Sequence, residues 1–373
     1  MKLDAFDVSL GRHLMSAMVH HARPFWIALG NLESLTLRGQ MDDVKIEKPI
    51  YVAGLARSGT SVLIEILASH PDVATHQYRD FPFLFIPYWW RQTLENTPTE
   101  VAPAEERAHG DRLMVTPHSP EAMEEVLWMA FFRKLHNPHL SSTLDASSHH
   151  PQFEKFYRDH IRKLLLIANR RRYAAKGNYN LTRLEYLLKL FPDARFILPI
   201  RRPRDHVASL IKQHRIFTEA GRKYPRSVNH LDRVGHFEFG LHRRCINPRG
   251  EAAAVREIES LWKTGESARG WARYWAMLHT WLADRLDASA ALRNASLVLT
   301  YEDLCARPAE KLTQMLRHCD LPDPDGAIVS RWAPTLSPPT YYKPNFTPEE
   351  ERAIEEETAE ALARLTAHAA ASK

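Results

Sequence analysis

Cysteine is scarce. The only three in this 373-residue chain, Cys245, Cys305 and Cys319, all fall beyond residue 240 and none stands in a CxxC pair. A disulfide framework is therefore excluded, the thiols read as buried side chains, and a reducing, cytoplasmic compartment is expected. Charge of one sign is scarce as well, since 50 Lys+Arg against 45 Asp+Glu leave a formal net charge of +5, which by itself names no partner. Long apolar runs are missing too. The longest, Phe81-Pro82-Phe83-Leu84-Phe85-Ile86-Pro87-Tyr88-Trp89-Trp90, is about half of what a bilayer-spanning helix needs and carries two prolines. It reads as a buried loop or short helix, with an apolar wall for a greasy substrate or a peripheral membrane contact as the sharper alternatives. No signal peptide is expected, because His20, His21, Arg23 and Pro24 interrupt the apolar stretch from Met15 to Leu29. Nor is a metal site, since His20-His21 and His149-His150 are adjacent pairs without a ligand-spaced partner. Internal repeats and low-complexity segments are absent.

What is present is ordinary globular composition, 44% hydrophobic and 25% charged, which excludes general disorder and leaves enough apolar material for a sizeable core. Residues 5–40 read as helical with a break at Pro24. Ile50-Tyr51-Val52-Ala53 reads as a strand closed by Gly54 and followed at once by a helix over Thr60–Ser69. In the middle third, Ser119-Pro120-Glu121 reads as the opening of a helix, because proline suits the first turn. Further helices are expected over Phe153–Arg172 and Leu181–Leu190, then a strand over Arg195–Ile200 and another helix from Arg204. Regularity falls away over 213–270. A long helix over Ala268–Leu286, whose Trp271, Tyr274, Trp275 and Leu278 read as core, precedes a strand at Ser296–Thr300. A tail helix opens with a capping box, Thr347 against Glu350. Alternating strands and helices predict an α/β fold of the phosphate-loop type, three layers with a central parallel sheet and many surrounding helices. The division expected is an N-terminal helical extension (1–47) and one domain (48–373), with 213–270 as a specificity insertion and 347–373 as a terminal helix.

Two stretches carry chemistry. Gly54-Leu55-Ala56-Arg57-Ser58-Gly59-Thr60-Ser61 fits the phosphate-loop pattern GxxxxGK[ST], except that Thr60 stands where the lysine belongs. A glycine-bounded turn leading into a helix offers backbone N–H groups and the positive end of the helix to an anion; the blander alternative is a tight packing turn. The missing lysine argues against a kinase or NTPase, and Arg57 supplies the cation instead. The second stretch, Arg201-Arg202-Pro203-Arg204-Asp205-His206-Val207-Ala208-Ser209, follows a strand and opens a helix. Cations beside the positive end of a helix are unfavourable unless an anion is also bound, and arginine with a hydroxyl suits a phosphomonoester. Around it, residues 201–250 hold 12 Lys+Arg against 4 Asp+Glu, with five histidines. A basic nucleic-acid-binding protein is the non-enzyme alternative; its affinity would fall steeply with salt.

Together these stretches resemble the nucleotide signatures of the sulfotransferase family, which uses 3′-phosphoadenosine 5′-phosphosulfate. Ala56-Arg57-Ser58-Gly59-Thr60-Ser61 resembles the 5′-phosphosulfate loop in the arginine version of Golgi-type and tyrosylprotein sulfotransferases, and Arg201 with Ser209 resembles the 3′-phosphate motif. Lys176, Phe191-Pro192-Asp193-Ala194-Arg195-Phe196 and Thr300-Tyr301-Glu302-Asp303-Leu304 are similar as well, so the likeness runs from Pro49 to Leu321. It implies that the loop backbone from Arg57 through Ser58, Gly59, Thr60 and Ser61, with the Thr60 and Ser61 hydroxyls, holds the phosphosulfate. It implies further that Arg201 and Ser209 hold the 3′-phosphate, and that Arg57 and Lys176 stabilise the sulfuryl group in flight, with no metal required.

A base must take the proton of the acceptor's hydroxyl or amine. Where tyrosylprotein sulfotransferases carry a glutamate, this chain has Gln77, which cannot. The candidates are His76 and Asp80 on the same segment and Glu124 or Glu125 on the next helix. Asp80 is favoured because the aromatic stretch after it could desolvate it. The acceptor and the oligomeric state are not legible.

Overall fold

The computed structural model describes residues 3–97, 103–107, 110, 113–338 and 344–371. Its core is a five-stranded parallel sheet in the order β2-β5-β1-β6-β7, made of β1 (Ile50–Val52), β2 (Val73–Ala74), β5 (Arg172–Lys176), β6 (Arg195–Ile200) and β7 (Ser296–Thr300). A small antiparallel pair, β3 (Glu105–Glu106) and β4 (Met114–Val115), stands apart. β1 pairs with β5 on one side, Tyr51 opposite Ala175, and with β6 on the other, Tyr51 opposite Phe196.

Side chains alternate across a strand, and here both faces are covered. Ile50, Val52, Ile197 and Leu299 pack with Leu63, Ile66 and Leu67 of the helix Thr60–Ala68 and with Leu312 and Met315. Tyr51, Phe196, Leu198 and Val298 pack with Tyr157, Trp271 and Trp275 of the helices on the opposite side. The result is the three-layered α/β arrangement with many flanking helices expected from the sequence. The long helix Ser267–Ala288 is strapped to the C-terminal helix Pro348–Ala371 by Arg273 on Glu357 (2.7 Å) and Arg364 on Asp284 (2.8 Å). The capping box is reciprocal: Thr347 N–H donates to Glu350 Oε2 at 2.9 Å, and Glu350 N–H to Thr347 Oγ1 at 3.2 Å.

Three expectations are corrected. The region 213–270 is largely helical, with helices Pro203–Lys223, Pro225–Val234 and Ala252–Lys263. Between the second and third of these helices, Arg243 and Arg244 lie on aromatic faces, Arg243 3.6 Å from the Trp262 ring centre and Arg244 4.1 Å from that of Phe237. The helix expected to end at Arg172 stops at Ala168 on the left-handed Asn169, leaving Arg172–Lys176 to form β5. The helix expected from Ser119 begins only at Glu125. Residues 117–121 instead run beside 76–80: Gln77 bridges to Pro120, Tyr78 N–H donates to Ser119 O at 3.1 Å, and Glu121 N–H donates to His76 O at 3.1 Å.

The N-terminal helices α1 (Leu10–His21) and α2 (Arg23–Thr36) lie on the apolar stretch 81–90. Phe81, Leu84 and Phe85 pack with Val19 and Trp26 in a separate buried cluster, so most of that stretch is a seat for the extension.

Candidate active site

In an open parallel sheet, ligands bind beyond the carboxyl ends of the strands, beside the point where chain order reverses. β1, flanked by β5 and β6, is that point, and four strand ends deliver polar groups there.

The loop after β1 is built for close approach. Gly59 adopts φ +105° as the N-cap of the helix Thr60–Ala68, and a Cβ placed there would lie 2.9 Å from the Tyr301 ring at the end of β7. A Cβ on Gly54 would lie 2.6 Å from Ser58 Oγ. Arg57 itself has φ +75°, a conformation that non-glycine residues adopt at a cost of about 1 kcal/mol or more. The turn leaves the first N–H groups of the helix without intrahelical acceptors and turned toward the loop. Ser58 Oγ, fully buried, has no hydrogen-bond partner among the described residues.

Cations converge on this loop. Arg57 Nε donates to Ser209 Oγ at 3.2 Å, Arg201 Nη1 donates to the Arg57 carbonyl at 3.3 Å, and the Arg201 guanidinium lies 5.3 Å from the Tyr301 ring centre. The two sequence stretches therefore meet. His206, from the second of them, fixes the first. Trp275 Nε1–H donates to its Nδ1 at 3.1 Å, which leaves Nε2–H to donate to Ala56 O at 2.8 Å. Burial, then the neighbouring Arg201, push its imidazole well below the ordinary histidine range, so it is neutral. Nothing in the sequence marks His206 for that role.

A second polar group closes the far side. Lys176, at the end of β5, donates to Ser61 Oγ at 2.8 Å and pairs with Glu121 at 2.7 Å, while Arg107 Nη1 donates to the same Ser61 Oγ at 2.8 Å. Tyr78 bonds both Glu121 and Arg107. Burial would raise the Glu121 carboxyl, but Lys176, Arg107 and the Ala122 N–H outweigh it and hold it at about 2. Burial, with Arg107 adding to it, pushes the Lys176 ammonium below its ordinary value against the pull of Glu121. Glu121, Arg107 and Tyr78 were not singled out from the sequence. Glu121 was hidden by reading Ser-Pro-Glu as the first turn of a helix, and Arg107 lies in no motif.

The expected bases are dispersed. Asp80 is 2% exposed and does not reach the cavity. Arg91 grips both of its oxygens, through Nε at 2.8 Å and Nη2 at 2.6 Å, and the Gln77 N–H adds a third bond at 2.8 Å. The helix that the aromatic stretch begins thus carries an arginine onto it. His76 is buried beneath the site, sharing a 2.8 Å bond with His160 and a 3.2 Å bond with Tyr173, and burial lowers its imidazole to about 4. Glu125 reaches the cavity lining, but Arg183 holds both of its oxygens at 2.8 Å and His136 lies 2.6 Å away. Glu124 also lines the cavity. Tyr157 and Tyr173 donate to its Oε1, its Oε2 has no partner among the described residues, and burial, the dominant influence, raises its carboxyl.

These groups border a cavity of about 790 Å³, within the range of about 300–1,000 Å³ typical of small-molecule sites. One end is the charged cradle. The other is lined by apolar side chains that include Phe6, Val8, Phe81, Met123, Phe217 and Phe239. Among the described residues, no group of three or more His, Cys, Asp or Glu is placed to hold a metal ion, and no helix is long and apolar enough to cross a membrane.

A family profile described as "Sulfotransferase family" matches residues 49–247. Among solved structures, sulfotransferase STF9 from Mycobacterium avium aligns over 94% of this chain and 84% of its own, at 15% identity and a TM-score of 0.51, and shows the shared fold. Sulfotransferase STF1 from Mycobacterium tuberculosis H37Rv aligns over 96% of this chain and 89% of its own, at 17% identity and a TM-score of 0.48. No curated protein matches.

Proposed function

The chain belongs to the sulfotransferase family, and from that premise we propose that it transfers a sulfuryl group from 3′-phosphoadenosine 5′-phosphosulfate to the hydroxyl or amine of an acceptor with an apolar body. The observation that carries this reading is the convergence of Arg57, Lys176 and Arg201, at three adjacent strand ends, and of Arg107, facing them, on a left-handed glycine loop and the helix start after it. So much positive charge around one helix N-terminus fits a polyanion, and the unpartnered Ser58 Oγ and the crowding at Gly54 and Gly59 suit a phosphate cradle.

Bound there, the donor supplies an activated sulfuryl group. The backbone of residues 57–61 with the Thr60 and Ser61 hydroxyls takes the 5′-phosphosulfate, and Arg201 takes the 3′-phosphate. Ser209, buried in its helix and bonded to Arg57, positions that guanidinium. Arg57, Lys176 and Arg107 stabilise charge as the sulfur–oxygen bond to the 5′-phosphate breaks and the bond to the acceptor forms in line. The proton released by the acceptor passes to Glu121. Without donor, Lys176 and Arg107 hold this carboxylate at about 2, where it accepts protons poorly. An anion beside Ser61 competes for the same two cations, loosens their grip and raises the basicity of Glu121 as the acceptor requires it. A second base is supported by the raised, half-partnered carboxyl of Glu124, three residues further along the chain.

Acceptor selection is assigned to the segment 213–270, which contributes Phe217, His230, Leu231 and Phe239 to the cavity, and to the extension 1–47, which contributes Phe6 and Val8. The basic excess of 201–250 gives a nucleic-acid surface little support. Arg204 pairs with Glu351, Arg226 with Asp7 and Arg249 with Asp284.

The test is transfer of labelled sulfate from the donor, in the presence of a chelator, to phenols, alkyl alcohols, glycans and peptides. Transfer to the phenols or alkyl alcohols supports the reading. Turnover of Mg-ATP with no sulfate transfer to any acceptor contradicts it.

A further inference from the structure

The outer faces of α1 and α2 are apolar, where the solvent side of a surface helix is ordinarily polar. Leu10 (58% exposed), Leu14 (58%), Met15 and Met18 project from α1, and Phe25 (60%), Leu32 and Leu35 (64%) from α2. The other large hydrophobic side chains this exposed among the described residues are three, scattered singly elsewhere. On α1, Leu10, Leu14 and Met18 recur every fourth residue, opposite the buried Ser16 and Val19. On α2, Phe25, Leu32 and Leu35 lie opposite the buried Trp26, Gly30 and Glu33. Each helix thus has one covered side and, opposite it, an apolar side that is not covered.

The covered side of α2 is locked, so that helix cannot turn its outer face inward. Glu33 and Lys163 form an ion pair of 2.8 Å with both side chains at 0% exposure, Lys163 Nζ also donates to Gly30 O at 3.0 Å, and a Cβ on Gly30 would lie 2.4 Å from Phe85 O.

Charge selects the occupant. From Val8 to Met41 the sole acidic residue is Glu33, which is buried, whereas Arg12 and Arg38 are exposed beside the apolar stripes and Arg23 is half-buried. The acids that precede this segment are engaged elsewhere, Asp4 with Lys223 and Asp7 with Arg226. An apolar stripe flanked by cations without exposed anions complements anionic lipid headgroups over acyl chains. Two copies meeting through the same face would bring like charges together. The face is also continuous with the cavity, because Arg12 in the first turn of α1, and Phe6 and Val8 just before that helix, line it.

We propose that the α1–α2 face is a lipid-docking surface that seats the protein on an anionic membrane, with the N-terminal wall of the cavity at the interface. The inference goes beyond the transfer reading and does not depend on the donor, so its test is run without nucleotide. The full chain is co-sedimented with vesicles of phosphatidylcholine alone and of phosphatidylcholine with phosphatidylglycerol, with thermal unfolding as the control for folding. Partition onto the anionic vesicles is expected to exceed that onto neutral ones by about tenfold or more. Leu14→Glu/Phe25→Glu is expected to reduce it by about tenfold or more with unfolding unchanged, and the milder Leu14→Ser/Phe25→Ser by an intermediate factor. The proposal is overturned if the wild type stays in the supernatant with both vesicle types, or if both variants bind as it does. It is equally overturned if the wild type is a dimer that Leu14→Glu/Phe25→Glu dissociates while vesicle binding is unchanged, which would make the face an interface between copies.

Discussion

The two ends of the cavity are made in different ways. The charged end is assembled from strand termini: Arg57 through Ser61 after β1, Lys176 at β5, Arg201 after β6 and Tyr301 after β7. Lys176, Arg201 and Tyr301 lie within one residue of the end of a strand buried on both faces, and the loop Arg57–Ser61 is held between β1 and the helix Thr60–Ala68. The apolar end draws on segments far apart in sequence, Phe6 and Val8, Phe81, Met123, and Phe217 with Phe239, held by helix packing and loop pairing. A rigid frame suits a site whose ligand has fixed charges in fixed places. A wall made of separate segments can change its shape and leave the cradle intact.

Substitutions can break that contrast. The largest effect on turnover is expected from Glu121→Gln, which leaves the cradle in place and removes the proton acceptor: transfer falls by about 10²–10⁴-fold in steady-state assays, while affinity for 3′,5′-bisphosphoadenosine changes little. If Glu124→Gln suffers that loss and Glu121→Gln does not, the base is Glu124. Lys176→Met is expected to lower transfer by about 10²–10³-fold by removing a donor aimed at developing charge. Asp80→Asn should do the reverse of what its sequence position suggests. It uncouples a buried ion pair and leaves Arg91 without its counter-charge, so thermal or denaturant unfolding should register a loss of about 3–5 kcal/mol, with transfer per folded molecule nearly unchanged.

The smallest effect is a slope with pH. Burial would raise the Glu125 carboxyl, but Arg183 and His136 dominate and hold it at about 2, below its ordinary 4.5. A depressed folded value means that the stabilisation is complete above about 4.5 and is lost as pH falls from there toward 2. Melting temperatures recorded across that window should drop for the wild type. Glu125→Gln, less stable throughout, should lose that part of the slope.

The same contrast explains what could be read in advance. β1 with its loop, β6 with Arg201, β7 with Tyr301 and the Thr347–Glu350 capping box are each encoded in one contiguous stretch, where turn residues, apolar runs and helix signals agree. β5 escaped because Arg172-Tyr173-Ala174-Ala175-Lys176 is a short strand, buried on both faces, that follows a helix without a proline or glycine stop; its signal is Asn169 in the left-handed conformation. Glu121 escaped for a physical reason of another kind. Proline before glutamate is a sound helix start, but residues 117–121 pair with 76–80, and no local pattern announces a partner some 40 residues away. Asp80 was favoured because aromatic residues follow it, yet the helix those residues begin carries Arg91 back onto it.

If the strand ends form a metal-independent cradle for the donor nucleotide, calorimetric titration of 3′,5′-bisphosphoadenosine with chelator present will register it. One site is expected on the wild type, weakened by about 10–100-fold in Arg201→Ala through loss of a charge-assisted contact. A wild type that binds nothing, a wild type that binds only when magnesium is added, or an Arg201→Ala variant that binds as the wild type does would contradict it.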